Sequence, residues 1–214
     1  MSAPESLTRD YLMERWPRLF HMAEAGSWDS IREHGLQSTS ALLDRFDVGD
    51  PLRTEIESCR RPESVEITDG RGNSAWVRDN KRINETALIK TLQGMTLGEW
   101  YRNLNRRVFF WLTRQRLDKL RRAGAYKDQK HDILTIHTKR LMHSYGDVVE
   151  LSPLNSGAVH PAANYPRGIL TFSRIADYPW QERLAIAPSE PIVELTVPYS
   201  VNDISEFVID VTTE

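Results

Sequence analysis

The segment LFHMAEAGSWDSIREHGLQST, residues 19–39, decides how the chain is interpreted. It begins with a short apolar run that follows Pro17 directly. This run predicts a strand over Arg18–Met22, with His21 close to the point where the strand ends. A histidine at a strand end is a residue that a ligand can reach, so it is the first candidate for a functional side chain.

The second half of the segment predicts a helix and a turn. Ser27 is placed to cap a helix that directs Trp28 and Ile31 to one side, and Gly35 suits the left-handed residue that ends such a helix. The loop Leu36–Ser40 follows. Its hydroxyl groups and backbone N–H groups are able to hold a polar ligand beside the histidine.

The composition predicts one globular domain over residues 1–214. The chain is 40% hydrophobic and 27% charged, with a formal net charge of -2, which argues against a strongly basic nucleic-acid binder. Its single cysteine, Cys59, excludes an internal disulfide bond and favours a reducing cytoplasm. No stretch has the apolar length of a signal peptide or a membrane span, so the chain is expected to be cytoplasmic and free of membrane contacts.

The periodicity of apolar residues predicts an α+β fold, because helices and strands do not alternate regularly. The bulky run Val108–Leu112 is typical of a central strand that is buried on both faces. Helices are concentrated in the first two thirds of the chain. The other predicted strands are Arg18–Met22, Ser64–Thr68, Ala75–Val77, His131–His137, Gly168–Phe172, Ile192–Pro198 and Glu206–Val211.

Several familiar motifs are absent from the sequence. It contains no glycine-rich dinucleotide or phosphate loop, no His-Glu-x-x-His and no Gly-x-Ser-x-Gly. His131 and His137 would share one face of a strand, but no carboxylate or cysteine stands at ligand spacing from them. No metal site is therefore expected.

Three features remain as candidates for function. They are His21, the aromatic run Phe109–Trp111, and Glu194 within the apolar strand Ile192–Pro198. A carboxylate on such a strand either faces solvent or is held in a cleft for use. The long polar loop Leu151–Arg167 is of a length that is more often functional than structural.

These pieces, in this order, resemble the ADP-ribosyltransferase fold, and most closely the DarT-like toxins and uncharacterised bacterial relatives. The resemblance rests on the phrases Leu19–Glu24, Arg107–Leu112, Leu151–Gly157 and Pro166–Gly168, and on the Glu-Leu-x-Val-Pro sequence that begins at Glu194. It implies a split antiparallel β-sheet that clasps NAD.

The resemblance also implies roles for individual residues. Glu194 matches the catalytic glutamate, and His21 matches the first-strand histidine that binds an NAD ribose. The turn with Gly35, Ser38 and Thr39 would lie against the nicotinamide or its ribose. An aromatic residue near Phe110, or Tyr101, would pack on the nicotinamide. The candidates for binding the pyrophosphate are Arg45, Arg53, Arg78, Arg114 and Arg167.

The implied reaction is transfer of ADP-ribose from NAD to a macromolecule, either a nucleic acid or a protein. Ile192 stands where arginine-modifying members carry Gln or Glu, which argues against that subclass. No second-strand tyrosine is visible. Two alternatives stay open: a catalytically silent nucleotide-binding or protein-interaction module of the same fold, and an RNA 2′-phosphotransferase-like enzyme. Oligomeric state is left open.

Overall fold

The computed structural model describes residues 4–214. Within them, nine α-helices form: α1 Arg9–Arg15, α2 Trp28–His34, α3 Thr39–Arg45, α4 Leu52–Ser58, α5 Glu85–Thr91, α6 Leu97–Asn105, α7 Arg114–Arg121, α8 Thr138–Tyr145 and α9 Trp180–Ile186. Eight of the nine end by Tyr145, so the expected concentration of helices in the first two thirds is confirmed. The longest has nine residues, and none of those described is long and apolar enough to cross a membrane.

The strands of the described residues are β1 Arg18–Glu24, β2 Leu36–Gln37, β3 Val65–Thr68, β4 Ser74–Val77, β5 Leu92–Gln93, β6 Arg107–Trp111, β7 His131–His137, β8 Glu150–Ser152, β9 Arg167–Gly168, β10 Ser173–Arg174, β11 Glu194–Pro198, β12 Ser200–Val201 and β13 Val208–Thr213. Seven of them form one sheet in the order β10-β8-β11-β6-β1-β7-β13. Every neighbouring pair in this sheet is antiparallel. The fold is therefore mixed α/β with a large antiparallel sheet, and β6 is its central strand, as predicted.

The larger hydrophobic core covers one face of this sheet. Val108 and Phe110 of β6 and Leu195 of β11 point into it, and Leu12 of α1 and Leu141 of α8 close it from the other side. Alternate residues of a strand point to the same face, and the apolar residues of β6 and β11 follow that period here. The burial of these side chains holds the N-terminal helix and α8 against the sheet.

Smaller clusters cover the opposite face. Trp111 and Met22 pack with Leu117 of α7, and Trp100 of α6 packs in a separate cluster with Phe172, the two rings stacked with centroids 6.4 Å apart. Helix α6 is placed by the capping box that Thr96 and Glu99 complete. Glu194 lies on this face of the sheet, because it pairs with Trp111.

Some of the sequence-based predictions were wrong in detail. Strand β1 continues past Met22 to Glu24, because the long strand β7 pairs with it along its whole length. The side chain of Ser27 makes no capping bond; instead Asp132 Oδ2 accepts a hydrogen bond from the Trp28 N–H at 3.2 Å. The predicted strand Gly168–Phe172 is mostly a 3₁₀ turn. Helices α8 and α9 were not predicted.

Candidate functional site

Strand β1 is joined very unequally to its two neighbours. Seven residue pairs connect it to β7, whereas the single pair Phe20–Trp111 connects it to β6. We call the β1–β7 boundary the closed seam and the β1–β6 boundary the open seam. Beyond Phe20 and Trp111, both strands continue for several residues without pairing to each other, so the sheet opens along this line.

At the open seam, two side chains form hydrogen bonds with backbone carbonyls that have no partner on the neighbouring strand. Continuing the register from Phe20–Trp111 would place Met22 opposite Phe109. Instead, the carbonyl of Phe109 lies 2.8 Å from His21 Nδ1, and the carbonyl of Met22 accepts a hydrogen bond from Arg78 Nη1 at 2.9 Å. A buried carbonyl needs a hydrogen-bond donor, and these side chains provide one where the partner strand does not. The structure thus brings two of the predicted site residues, His21 and Arg78, to the same opening.

The environment of His21 fixes its protonation state. Burial lowers the pKa of His21 to about 4, and the charge of Arg78 acts in the same direction. The ring is therefore neutral at pH 7. Because Nδ1 faces the carbonyl of Phe109, Nδ1 carries the proton and Nε2 is left as an acceptor. Among residues 4–214, Nε2 has no hydrogen-bond partner.

Arg78 is held by three contacts at the mouth of the open seam. Besides its bond to the Met22 carbonyl, its Nε lies 3.6 Å from a carboxylate oxygen of Glu24, and its guanidinium lies 5.2 Å from the ring centre of Tyr126. The side chain is 25% exposed. Arg78 is therefore a cation that is fixed in position and partly open to solvent.

Glu194 is the first residue of β11 and is almost completely buried, with 3% of its surface exposed. Its two carboxyl oxygens lie 3.1 and 3.2 Å from the backbone N–H of Ser156, which donates to them. Burial raises the pKa of Glu194 to about 7, although the bond from Ser156 and the charges of Arg116 and Arg167 oppose this shift. A carboxyl group that titrates near pH 7 is suited to accept or hold a proton.

The sheet register relates Glu194 to His21. Glu194 pairs with Trp111 on β6, and Trp111 pairs with Phe20 on β1, so Glu194 and His21 lie two strands and one row apart. With strands about 4.8 Å apart, this places their backbones roughly 10 Å from each other. Successive side chains of a strand point to opposite faces of the sheet. Glu194 therefore lies on the same face as Trp111, and the side chain of His21 leaves its strand on the opposite face. The His21 ring turns into the open seam, where its Nδ1 meets the carbonyl of Phe109.

The predicted turn residues have structural roles of their own. Gly35, with φ of 81°, ends α2, and a Cβ there would lie 2.6 Å from the Cα of Asn202. Ser38 caps α3 because its Oγ accepts a hydrogen bond from the N–H of Ala41, and Thr39 is the first residue of that helix. The turn pairs with β12. Contact between these three residues and a ligand stays a prediction.

The aromatic run is divided between separate hydrophobic clusters. Phe110 has no exposed surface and belongs to the larger core, where its ring centre lies 6.0 Å from that of His21. Phe110 therefore packs beside His21, and its ring has no exposed face on which a ligand could stack. Phe109 is partly buried and packs edge-on against Phe172. Tyr101 is buried and donates a hydrogen bond to Glu85.

The structure separates the five candidate arginines. Arg53 is paired with Asp44 and Glu57, and Arg114 is paired with Asp118 and Glu214. Arg45 stacks on its neighbour Phe46. Only two of the five lie beside the other predicted site residues. These are Arg78 at the open seam and Arg167 near Glu194.

The sequence did not single out Ser156 within its loop or Arg183. Asn155, Ser156 and Gly157 predict a tight turn, but not that the N–H of Ser156 would reach a carboxylate on another strand. Arg183 lies on α9, which has no distinctive motif. Neither residue carried a signal by which sequence reasoning could have found it.

Two surface depressions lie away from these residues. One, of about 540 Å³, is lined by His137, Lys139, Arg140, His143, Glu206 and Phe207. The other, of about 330 Å³, lies between α1 and the segment around Arg174. Within residues 4–214, no three His, Cys, Asp or Glu side chains come together as a possible metal site.

The fold and this arrangement define a mixed α/β protein with an open seam in an antiparallel sheet and a buried carboxyl nearby. The chain belongs to DUF7002, a family of unknown function whose model matches residues 17–208. That match covers both His21 and Glu194. No curated protein and no solved structure matches the chain significantly.

Proposed function

We propose that the chain is an NAD-dependent enzyme of the ADP-ribosyltransferase type, which cleaves the nicotinamide–ribose bond and transfers ADP-ribose to a macromolecule. The observation that carries the proposal is the pairing of a neutral histidine in an open seam with a buried carboxyl group about two strands away. The open seam also agrees with the split antiparallel sheet that the sequence resemblance implies.

The residues fit the chemistry of this reaction. Nε2 of His21 is a free acceptor in a neutral ring, as needed to receive a hydrogen bond from a ribose hydroxyl. Arg78 adds a fixed positive charge at the same opening, where it favours an anionic ligand such as a pyrophosphate. These two residues bind and orient; neither has to change its charge.

Glu194 is the residue assigned to the reacting centre. When the bond from the ribose C1′ to nicotinamide breaks, the electron pair leaves with nicotinamide and positive charge develops on the ribose. The Glu194 carboxylate stabilises that charge in a site with little water. As the acceptor's nucleophile bonds to C1′, the same carboxylate takes the proton that the nucleophile loses.

The second candidate is a module of the same fold without turnover. One observation favours it: Arg78 already bonds to the Met22 carbonyl and thereby fills part of the open seam with the protein's own side chain. In such a module, NAD or a partner protein would bind without reaction. If the chain transfers ADP-ribose, the acceptor is a nucleic acid or a protein. A module without turnover has no acceptor.

The experiment follows label from adenylate-labelled NAD into a bacterial extract that is then separated into DNA, RNA, protein and small molecules. We expect label in one macromolecular fraction with the wild type and a loss of at least about 100-fold with Glu194→Gln, because charge stabilisation at the reacting carbon is removed. Glu182→Gln, at an exposed carboxylate on α9, is the matched control and should keep activity. NAD binding without transfer or hydrolysis by any variant would favour the silent module.

A further inference from the structure

Three buried side chains near Glu194 have unused hydrogen-bonding capacity. Arg167 and Arg183 are 6% and 5% exposed, and Ser156 is fully buried. The Nε atoms of both arginines and the Oγ of Ser156 have no hydrogen-bond partner in the part of the chain that the structure describes. Buried polar groups are nearly always satisfied in folded proteins, so three of them in one region indicate a missing partner.

Among the described residues, neither of the two arginines forms a salt bridge, although the charge of Glu194 acts on Arg167 from a greater distance. Within residues 4–214, neither has a carboxylate oxygen within 4 Å. Arg167 donates to the Tyr165 carbonyl at 3.0 Å, and Arg183 donates to the Pro153 carbonyl at 3.1 Å. Burial lowers the pKa of Arg167, and the nearby charge of Glu194 opposes this shift only in part. An anion beside Arg167 would relieve the cost of that burial.

A third buried arginine shows what a structural arginine looks like in this protein. Arg61 is 7% exposed, but its Nε bonds to the Arg78 carbonyl, one terminal nitrogen bonds to the Ile56 carbonyl and the other to Asn105 Oδ1. Every nitrogen of its guanidinium is therefore used. Arg167 and Arg183 differ because their Nε atoms are left free.

Arg167, Arg183 and Ser156 are connected through the loop Leu151–Arg167. Arg167 holds the carbonyl of Tyr165 and Arg183 holds its hydroxyl at 3.3 Å, while the N–H of Ser156 in the same loop binds Glu194. The ring of Tyr165 lies over the Arg183 guanidinium at 5.4 Å and is 36% exposed. The cluster is thus buried but reaches the surface beside Tyr165.

We propose that Arg167, Arg183 and Ser156 form a phosphate-binding site beside Glu194, separate from the open seam. Two guanidinium groups can each bond to oxygens of an anionic phosphate, and a serine hydroxyl can donate to a remaining oxygen. The phosphate belongs either to a phosphorylated small molecule or to a polynucleotide strand. Strands β6 and β11 lie between this site and His21, which places the phosphate on the far side of Glu194 from the seam.

The interpretation of this phosphate site as the place where the acceptor binds rests on the proposed function. Phosphate binding itself can be measured without NAD turnover. The first experiment is calorimetric titration of the full chain with inorganic phosphate, using chloride as the control anion. We expect saturable phosphate binding that weakens at least tenfold in Arg167→Gln and in Arg183→Gln. The matched control is Arg122→Gln, at an exposed arginine, which should bind as the wild type does.

Folding of each variant is checked by far-ultraviolet circular dichroism and thermal unfolding. Arg183→Lys keeps the charge, and partial recovery of phosphate binding in it would separate loss of charge from loss of folding. Absence of phosphate binding by the wild type, or equal binding by wild type and both glutamine variants, would overturn the assignment.

The source of the phosphate is distinguished by further titrations with a nucleoside monophosphate and with short single-stranded DNA and RNA oligonucleotides. A polynucleotide source predicts tighter binding of an oligonucleotide than of the monophosphate, and a small-molecule source predicts the reverse. NAD affinity should be unchanged in Arg183→Gln. A parallel loss of NAD affinity would overturn the separate site, whereas phosphate binding without NAD consumption would leave it standing and remove the proposed function.

Discussion

The two sides of strand β1 are built in opposite ways. On the β7 side, seven residue pairs run from Arg18–His137 to Glu24–His131, and apolar residues such as Leu134 and Ile136 anchor this closed seam in the core. On the β6 side, one residue pair is followed by side chains that bond to the free carbonyls of Met22 and Phe109. One seam is made by the backbone and the other by His21 and Arg78.

The difference separates the side of β1 that holds the strand in the sheet from the side at which we propose that a ligand binds. Backbone pairing and burial at the closed seam hold β1 in place, so the open seam does not have to contribute much to folding. His21 can then be placed at the open seam, where burial lowers its pKa to about 4. Low-stability or unsatisfied positions on a rigid support are a common arrangement at ligand sites.

The largest expected effect breaks the closed seam. Leu134 is fully buried on β7, opposite His21, so Leu134→Ala should lower the free energy of unfolding by about 2–5 kcal/mol through the cavity that it leaves. Urea unfolding measures this change. Ile209→Ala, at a residue that is 45% exposed on neighbouring β13, should change stability by less than about 0.5 kcal/mol. Equal effects would mean that the closed seam does not carry the fold.

The next effect concerns Glu194 and its raised pKa. With an ordinary value of 4.5 and a folded value of about 7, this group favours the folded state below pH 4.5, and that contribution is lost as the pH rises to about 7. Glu194→Gln cannot ionise, so it should be more stable than the wild type at pH 8 by about 3 kcal/mol.

At pH 4 the same two proteins should unfold at nearly equal urea concentrations. Whereas the stability of the wild type falls as the pH rises to about 7, its activity should rise over the same range, because the Glu194 carboxylate forms. A variant that is less stable than the wild type at pH 8 would contradict the burial of an ionisable carboxyl group.

His21 gives a smaller effect with the opposite sign. Its pKa falls from 6.5 to about 4 on folding, so the stability that it contributes is present above pH 6.5 and is lost as the pH falls towards 4. In His21→Gln, the amide can still donate to the Phe109 carbonyl but does not titrate. The loss of stability between pH 7 and pH 4.5 should therefore be about 1–2 kcal/mol smaller than in the wild type. Identical pH profiles would contradict a neutral, partly buried ring.

Arg78 gives the smallest expected change in stability. Arg78→Met removes the donor to the Met22 carbonyl but keeps an apolar side chain, and should cost about 1 kcal/mol in urea unfolding. Arg71→Met, in the exposed turn of the β3–β4 hairpin, should cost nothing measurable. A loss of several kcal/mol at Arg78 would make it a structural residue and would remove it from the ligand site.

Much of the fold could be predicted from local patterns. The capping box of α6, the hairpin turn between Thr68 and Ser74, and the bulky central strand β6 were each correct because neighbouring residues decide them. Local patterns also placed His21 and Glu194 on strands.

The open seam could not be predicted in this way. Pairing between β1 and β6 is a contact across 88 positions, from His21 to Phe109, and no local pattern reports whether it forms. Likewise, nothing near Ser156 in the chain indicates that its N–H binds Glu194, 38 residues away. Helix α9, with its buried Arg183, was missed because Arg183 bears charge at a position where periodicity calls for an apolar residue.

The central claim is that the open seam, and not the closed one, is the ligand site. The most direct measurement is amide hydrogen exchange with and without NAD, comparing peptides from 18–24, 107–111 and 131–137. The proposal predicts that NAD slows exchange in the first two and leaves the third unchanged, in the wild type and in Glu194→Gln alike. No protection in 18–24 and 107–111 at saturating NAD, or protection around the depression near His143, would contradict it.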